Sequence, residues 1–165
     1  GDVAHDALKS LIARDVNGLT NAVCEADYDD TGMTKEQARQ AIQHVIVPIA
    51  SDFQASGKLD TREDPQGNWG ISFVNGVAAG RPRNLGISTT LSENGPCVSF
   101  FDLLRMKWIT ESNRPRSLND EYQGLLRDRP QLERFGITKI IHSNGSVLTL
   151  DQLEQQFRDG ANSTR

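Results

Sequence analysis

Asn68 to Leu91 reads NWGISFVNGVAAGRPRNLGISTTL, and its rhythm sets the fold class. Trp69, Ile71, Phe73, Asn75 and Val77 alternate with Gly70, Ser72, Val74 and Gly76. Farther on, Leu85, Ile87, Thr89 and Leu91 alternate with Gly86, Ser88, Thr90 and Ser92. A period of two turns successive side chains to opposite faces of a strand. The spacing predicts antiparallel strands with one face on a core, and the rows led by Trp69 and Leu85 are the ones expected to face it. Asp64-Pro65-Gln66-Gly67 and Glu93-Asn94-Gly95-Pro96 carry the residues of turns. Between the rows, Gly76 to Arg83 holds glycines and two arginines, readable as an anion contact or as an inter-strand loop.

Upstream the period is helical. Ala4, Ala7, Leu8, Leu11 and Ile12 form one stripe, and Val16, Leu19, Val23 and Ala26 form a second after Asp15, a suitable N-cap. From Thr34 the series Ala38, Ala41, Ile42, Val45, Ile46, Ile49 and Phe53 predicts one long helix, kinked at Pro48 and ended near Gly57. Downstream, Cys97 to Glu111 reads as the longest strand, with Val98, Phe100, Asp102, Leu104, Met106 and Trp108 on one face. The polar stretch Ser112 to Ser117 then leads to a C-terminal extension: a helix over 119–127, a short turn from Pro130 to Gly136, a hairpin about Asn144-Gly145, and a helix over 151–158. This extension, 112–159, has few apolar residues of its own and is expected to dock on the body, 1–111, as part of one domain, with 160–165 a flexible tail.

The chain of 165 residues is long enough to bury roughly two-thirds of its unfolded surface in a single domain. Its 18 basic and 22 acidic residues are dispersed, which argues against nucleic acid as a partner. No apolar run approaches the roughly 20 residues of a membrane span. The leading Gly1, without a methionine, reads as a trimming scar and tilts the expectation towards an exported protein. Cys24 and Cys97 fall in different elements. A long-range bridge stays open, and two buried free thiols are the expectation.

Glu25 to Ala38, EADYDDTGMTKEQA, invites comparison with a calcium loop. Counting from Asp27, Asp29, Thr31 and Gly32 are in place, but the closing position is Ala38 where a bidentate Glu is needed. Thr34 with Gln37 makes a capping box instead, so the stretch reads as a joint between helices and no metal is expected.

Helices first and strands after predict an α+β domain with N-terminal helices packed on a curved antiparallel sheet. Ala7 to Leu19 and Asp27 to Glu36 together resemble the opening of nuclear transport factor 2-like (cystatin-like, SnoaL-type) domains. The resemblance covers Val3 to Glu111 by element order and implies a cone with a pocket between sheet and helices. The segment from Leu118 onward is outside its pattern. Some members of that family are isomerases or dehydratases and others bind ligands or proteins, so the fold does not select a function.

A carboxylate on an apolar face has its neutral form favoured, which makes Asp102 the first catalytic candidate, with His44 and Tyr28 as second groups. A surface role for His44 and a packing role for Tyr28 compete with that reading. Trp69, Trp108 and Phe73 are the expected pocket lining. No nucleophile elbow, phosphate loop, zinc helix or Cys-x-x-Cys pair occurs, and no cofactor is implied. The leading expectation is a non-catalytic domain binding a small apolar ligand or a protein through the pocket. An acid-base lyase or isomerase and a homodimer joined through its sheet face are the alternatives.

Overall fold

The computed structural model describes residues 2–112, 117–142 and 144–163. The expected boundary segment 113–116 and the end of the expected tail, 164–165, lie outside the described residues. The protein is α+β. Four helices open it: α1 (Asp2–Ile12), α2 (Val16–Ala22), α3 (Glu25–Thr31) and α4 (Lys35–Ala41). Asp15 caps α2 through Gly18, and the Thr34/Gln37 capping box starts α4, as their side chains dictate.

The kink expected at Pro48 takes a specific form. After Ala41 the helix widens into a π turn over Ile42–Ile46, then tightens to a 3-10 turn over Val47–Ala50. The widened turn absorbs the proline, which offers no N–H to the ladder. The helix therefore ends before Gly57, and Phe53 already leads into extended chain.

The strands are β1 (Gln54–Ala55), β2 (Asp60–Glu63), β3 (Trp69–Ala78), β4 (Arg81–Ser92) and β5 (Gly95–Cys97). All ladders are antiparallel: β1 and β2 share one edge of β3, β4 lies on its other side, and β5 pairs with only the last three residues of β4. Ala79 and Gly80, both at positive φ, make the tight turn between β3 and β4.

The expected core face of β3 is corrected. Its buried residues are Gly70, Ser72, Val74 and Gly76, whereas Trp69 is 50% exposed and Val77 41%. The reason is close approach. Helix α1 packs on β3 and β4, and Phe53 lies so near Gly76 that a Cβ there would stand 2.3 Å from its ring. Only small side chains fit, so the bulky row turns outward. In β4 the expected row is buried at Leu85, Ile87 and Thr89, but Leu91 is exposed.

Two further corrections concern the segment after β5. Cys97 is bonded to Cys24 in a disulfide, not free. The bridge is possible because Val23 and Val98 pair in parallel, bringing the two backbones together with a Cα separation of 4.9 Å. The expected long strand is helix α5 (Phe100–Glu111). Phe100, Leu103, Leu104 and Trp108 recur at helical spacing and are all buried, so the helical period wins the packing.

In the C-terminal part, the two helices expected around Pro130 are one, α6 (Leu118–Arg134), with the proline inside it. It is closed by Gly136 at φ 83°. A hairpin of β6 (Lys139–Ile141) and β7 (Val147–Thr149) follows, then α7 (Leu150–Ser163). Residues 160–163, expected to be a loose tail, continue α7. Leu125, Leu132, Ile140, Leu153 and Phe157 belong to the same buried cluster as Leu8, Ile42 and Leu104. The extension is docked through a shared core.

Candidate functional site

Asp102 sits in the first turn of α5, where a carboxylate favours the positive end of the helix dipole. It lines two adjoining clefts and has no hydrogen bond or ion pair among the described residues. Burial raises its pKa, partly offset by the charges of Arg105 and His142. The shift is toward the neutral form, and the physical setting is a helix start, not the strand expected from sequence.

The first cleft, about 260 Å³, is walled by Asp27, Thr90, Ser92, Ser99, Asp102 and His142. Asp27 is only 2% exposed. Ser99, the N-cap of α5, makes no capping bond, and Asp27 Oδ2 accepts the Phe100 N–H at 3.4 Å in its place. Desolvation is the main force on this acid; the Phe100 bond opposes it, while Asp102 and Asp30 add repulsion, and the pKa is raised from 3.8 to about 6. His142, just past β6, stacks obliquely with Phe101 at 5.5 Å between ring centres. Cys24 also lines this cleft, so the disulfide fixes one wall.

The second cleft, about 290 Å³, lies between α5 and the outer face of β3 and β4. Its helical wall is Asp102, Arg105, Met106 and Ile109; its sheet wall is Ile71, Asn84, Gly86 and Ser88. The helix runs opposite in direction to β4: Asp102 lies by Thr90 and Ser92, whereas Thr110 lies by Arg83 and Leu85. This is where a pocket between helix and sheet occurs. Between α1 and the sheet, Leu8, Leu11, Val74, Leu85 and Ile87 are all buried.

The other expected site residues do not join Asp102. His44 is exposed in the π turn and stacks on Phe135 at 5.2 Å; Tyr28 gives its O–H to the Thr20 carbonyl. Desolvation, with Glu25 and Asp27 nearby, pushes the Tyr28 phenol up to about 12. Of the expected pocket lining, Trp69 is exposed and Phe73 lies on the outer sheet face under Arg62, 5.4 Å from its ring. Trp108 is buried, with its indole N–H donating to Asp128 Oδ2 at 2.8 Å beside Lys107 on the same oxygen, and it lines a separate cleft of about 530 Å³ with Glu111, Asp120 and Arg127.

Asp27 and His142 are the residues that sequence reasoning passed over as chemistry. Asp27 is weighed there only as a calcium ligand, because nothing local marks it as buried; its cover comes from Phe100, 73 residues away. Among the described residues there is no group of three or more His, Cys, Asp or Glu able to hold a metal ion, and no helix is long and apolar enough to cross a membrane. Comparison with protein-family models, curated proteins and solved structures finds no match.

Proposed function

We propose that this is a non-catalytic binding domain whose ligand occupies the joined clefts at the start of α5. The observation that carries the reading is the position of Asp102. It is a desolvated carboxylate with no hydrogen bond or ion pair among the described residues, placed where a polar cleft meets a helix–sheet groove. A folded protein stabilises such a group poorly by itself, and a bound partner supplies what the fold omits. The resemblance to nuclear transport factor 2-like domains is compatible with a binding role but carries no part of this reading.

The test is a fragment screen followed by amide chemical shifts. Ligands of this site move resonances of Gly86, Ser88, Asp102 and Ile109, and Asp102→Asn weakens those with a donor or positive charge. Shifts that cluster elsewhere on the surface overturn the assignment.

A second reading, acid-base chemistry, is favoured by one observation. Asp27, with its pKa of about 6, shares a cleft with Asp102 and His142. Two acids held in different environments suit proton transfer near neutral pH. It predicts turnover lost in Asp27→Asn with the fold retained; binding without turnover over a panel of lyase and isomerase substrates counts against it.

A further inference from the structure

Along α5, Asp102, Arg105, Met106 and Ile109 recur at the spacing of one helix face, and together they wall the second cleft. The face is divided: its first turns carry two opposite charges, and the turns after them are apolar. An aspartate and an arginine three residues apart on a helix ordinarily pair with each other. Here they do not. The Arg105 Nε bonds to Glu121 of α6, whose side chain is 3% exposed, and this holds the guanidinium away from Asp102. Among the described residues the Nη groups of Arg105 make no hydrogen bond, and Asp102 makes neither a hydrogen bond nor an ion pair.

The sheet supplies the floor. Gly86 of β4 pairs with Phe73 and Ser88 with Ile71. A Cβ added at Gly86 would stand 3.5 Å from the Phe73 Cβ, so the missing side chain of Gly86 leaves room on the same face of the sheet, within the cleft. Ile71, Met106 and Ile109, all half-buried, form an apolar surface beside the charges. At about 290 Å³ the cleft is at the small end of ligand sites, which suits a molecule of amino-acid size better than a nucleotide.

The two charges narrow the ligand class. A simple amine would leave the Arg105 Nη groups unused, and a simple carboxylate would leave Asp102 unused. A zwitterion engages both. Residues one turn apart on a helix face have Cβ atoms roughly 5–6 Å apart, so a molecule with its ammonium and carboxylate on a single carbon can meet both side chains at once. Resting on the binding reading above, we infer that the ligand is a free α-amino acid with an apolar side chain. Its ammonium group donates to Asp102, its carboxylate accepts from the Nη groups of Arg105, and its side chain lies over Gly86 against Ile71, Met106 and Ile109. Glu121 fixes the guanidinium from the Nε side and leaves the Nη pair for a carboxylate, which a planar fork grips with two parallel bonds. Asp27, in the adjoining cleft with Asp102, adds negative charge at the ammonium end.

The probe is L-leucine, titrated into the intact, disulfide-bonded chain and followed by amide and methyl shifts. Binding moves resonances of Gly86, Ser88, Met106 and Ile109. Isoamylamine is leucine without its carboxylate, and isocaproate is leucine without its ammonium group. Each is expected to bind at least about tenfold more weakly than leucine, the loss of one charge-assisted contact. Variants assign the two ends. Asp102→Asn weakens leucine and the amine but not the acid; Arg105→Gln weakens leucine and the acid but not the amine. Arg105→Gln also takes a partner from buried Glu121 and costs stability, so a second variant approaches the site from the sheet. Gly86→Val puts a good strand former into β4 and fills the cleft floor, which abolishes the leucine shifts with the fold retained. No shifts up to about 10 mM leucine, or an amine that binds as well as leucine, overturns the inference. Fragments that move Asp102 and Ile109 while leucine moves neither would sink it and leave the binding reading standing.

Discussion

Replacing Asp27 by Asn tests the physics of the site directly. The acid is 2% exposed and its pKa is raised from 3.8 to about 6, chiefly by desolvation. Folding thus favours the protonated form. The stabilising contribution is fully present below pH 4, falls as pH rises through 6, and is gone at neutral pH. At 1.36 kcal/mol per unit of pKa, the difference between the ends of that window is about 3 kcal/mol. An Asn mimics the protonated acid. Its amide oxygen still accepts from Phe100, and it has no charge to desolvate. The variant is therefore expected to equal the native chain near pH 4 and to exceed it by up to about 3 kcal/mol at pH 7.5. Urea denaturation at the two pH values, with the disulfide intact, reads the difference. If Asp27→Asn is destabilising by the same amount at both, or leaves the slope between pH 4 and 7 unchanged, the carboxylate is not desolvated as argued. A gain at neutral pH would mean that the native chain carries a costly buried charge in the wall of its cleft, the pattern of a group kept for binding and not for stability.

Other substitutions test the frame around the site. The Cys24–Cys97 bridge closes a separation of 73 residues, so reduction is expected to lower stability by about 4 kcal/mol and to loosen the Asp27–Phe100 contact, read as a lower denaturation midpoint with reductant. Burial pushes the Asp128 carboxyl up, yet the bonds from Arg127, Lys107 and Trp108 hold it below its ordinary value. Asp128→Ala strands a Lys107 side chain that is 6% exposed, with Glu111 its remaining partner, and should cost about 3 kcal/mol in the same denaturation assay. Gly76→Ala drives a Cβ to 2.3 Å from the Phe53 ring and is expected to cost more than 1 kcal/mol, whereas Gly86→Ala meets only ordinary contacts at 3.5 Å and should be near neutral in thermal melts.

Much of the architecture follows from local chemistry. Asp15 and Thr34 start helices because their side-chain oxygens satisfy free N–H groups a few residues on, and the alternation in β3 and β4 makes strands whatever lies beside them. Pro48 forces a break in the ladder wherever that helix packs. These effects act within one or two turns of chain, so the order of helices and strands can be read from residues alone.

Which face of β3 turns inward depends on α1 and Phe53 pressing against it, and close packing there outweighs the greater hydrophobicity of the Trp69 row. The segment after Cys97 suits either period, and its buried neighbours select the helix. The disulfide and the Asp27–Phe100 contact each join residues dozens of positions apart. Amino-acid order fixes the rhythm of each element because hydrogen bonds and side-chain directions are local. Proximity between distant elements exists only once they have packed, and it decides which carboxylate loses its water.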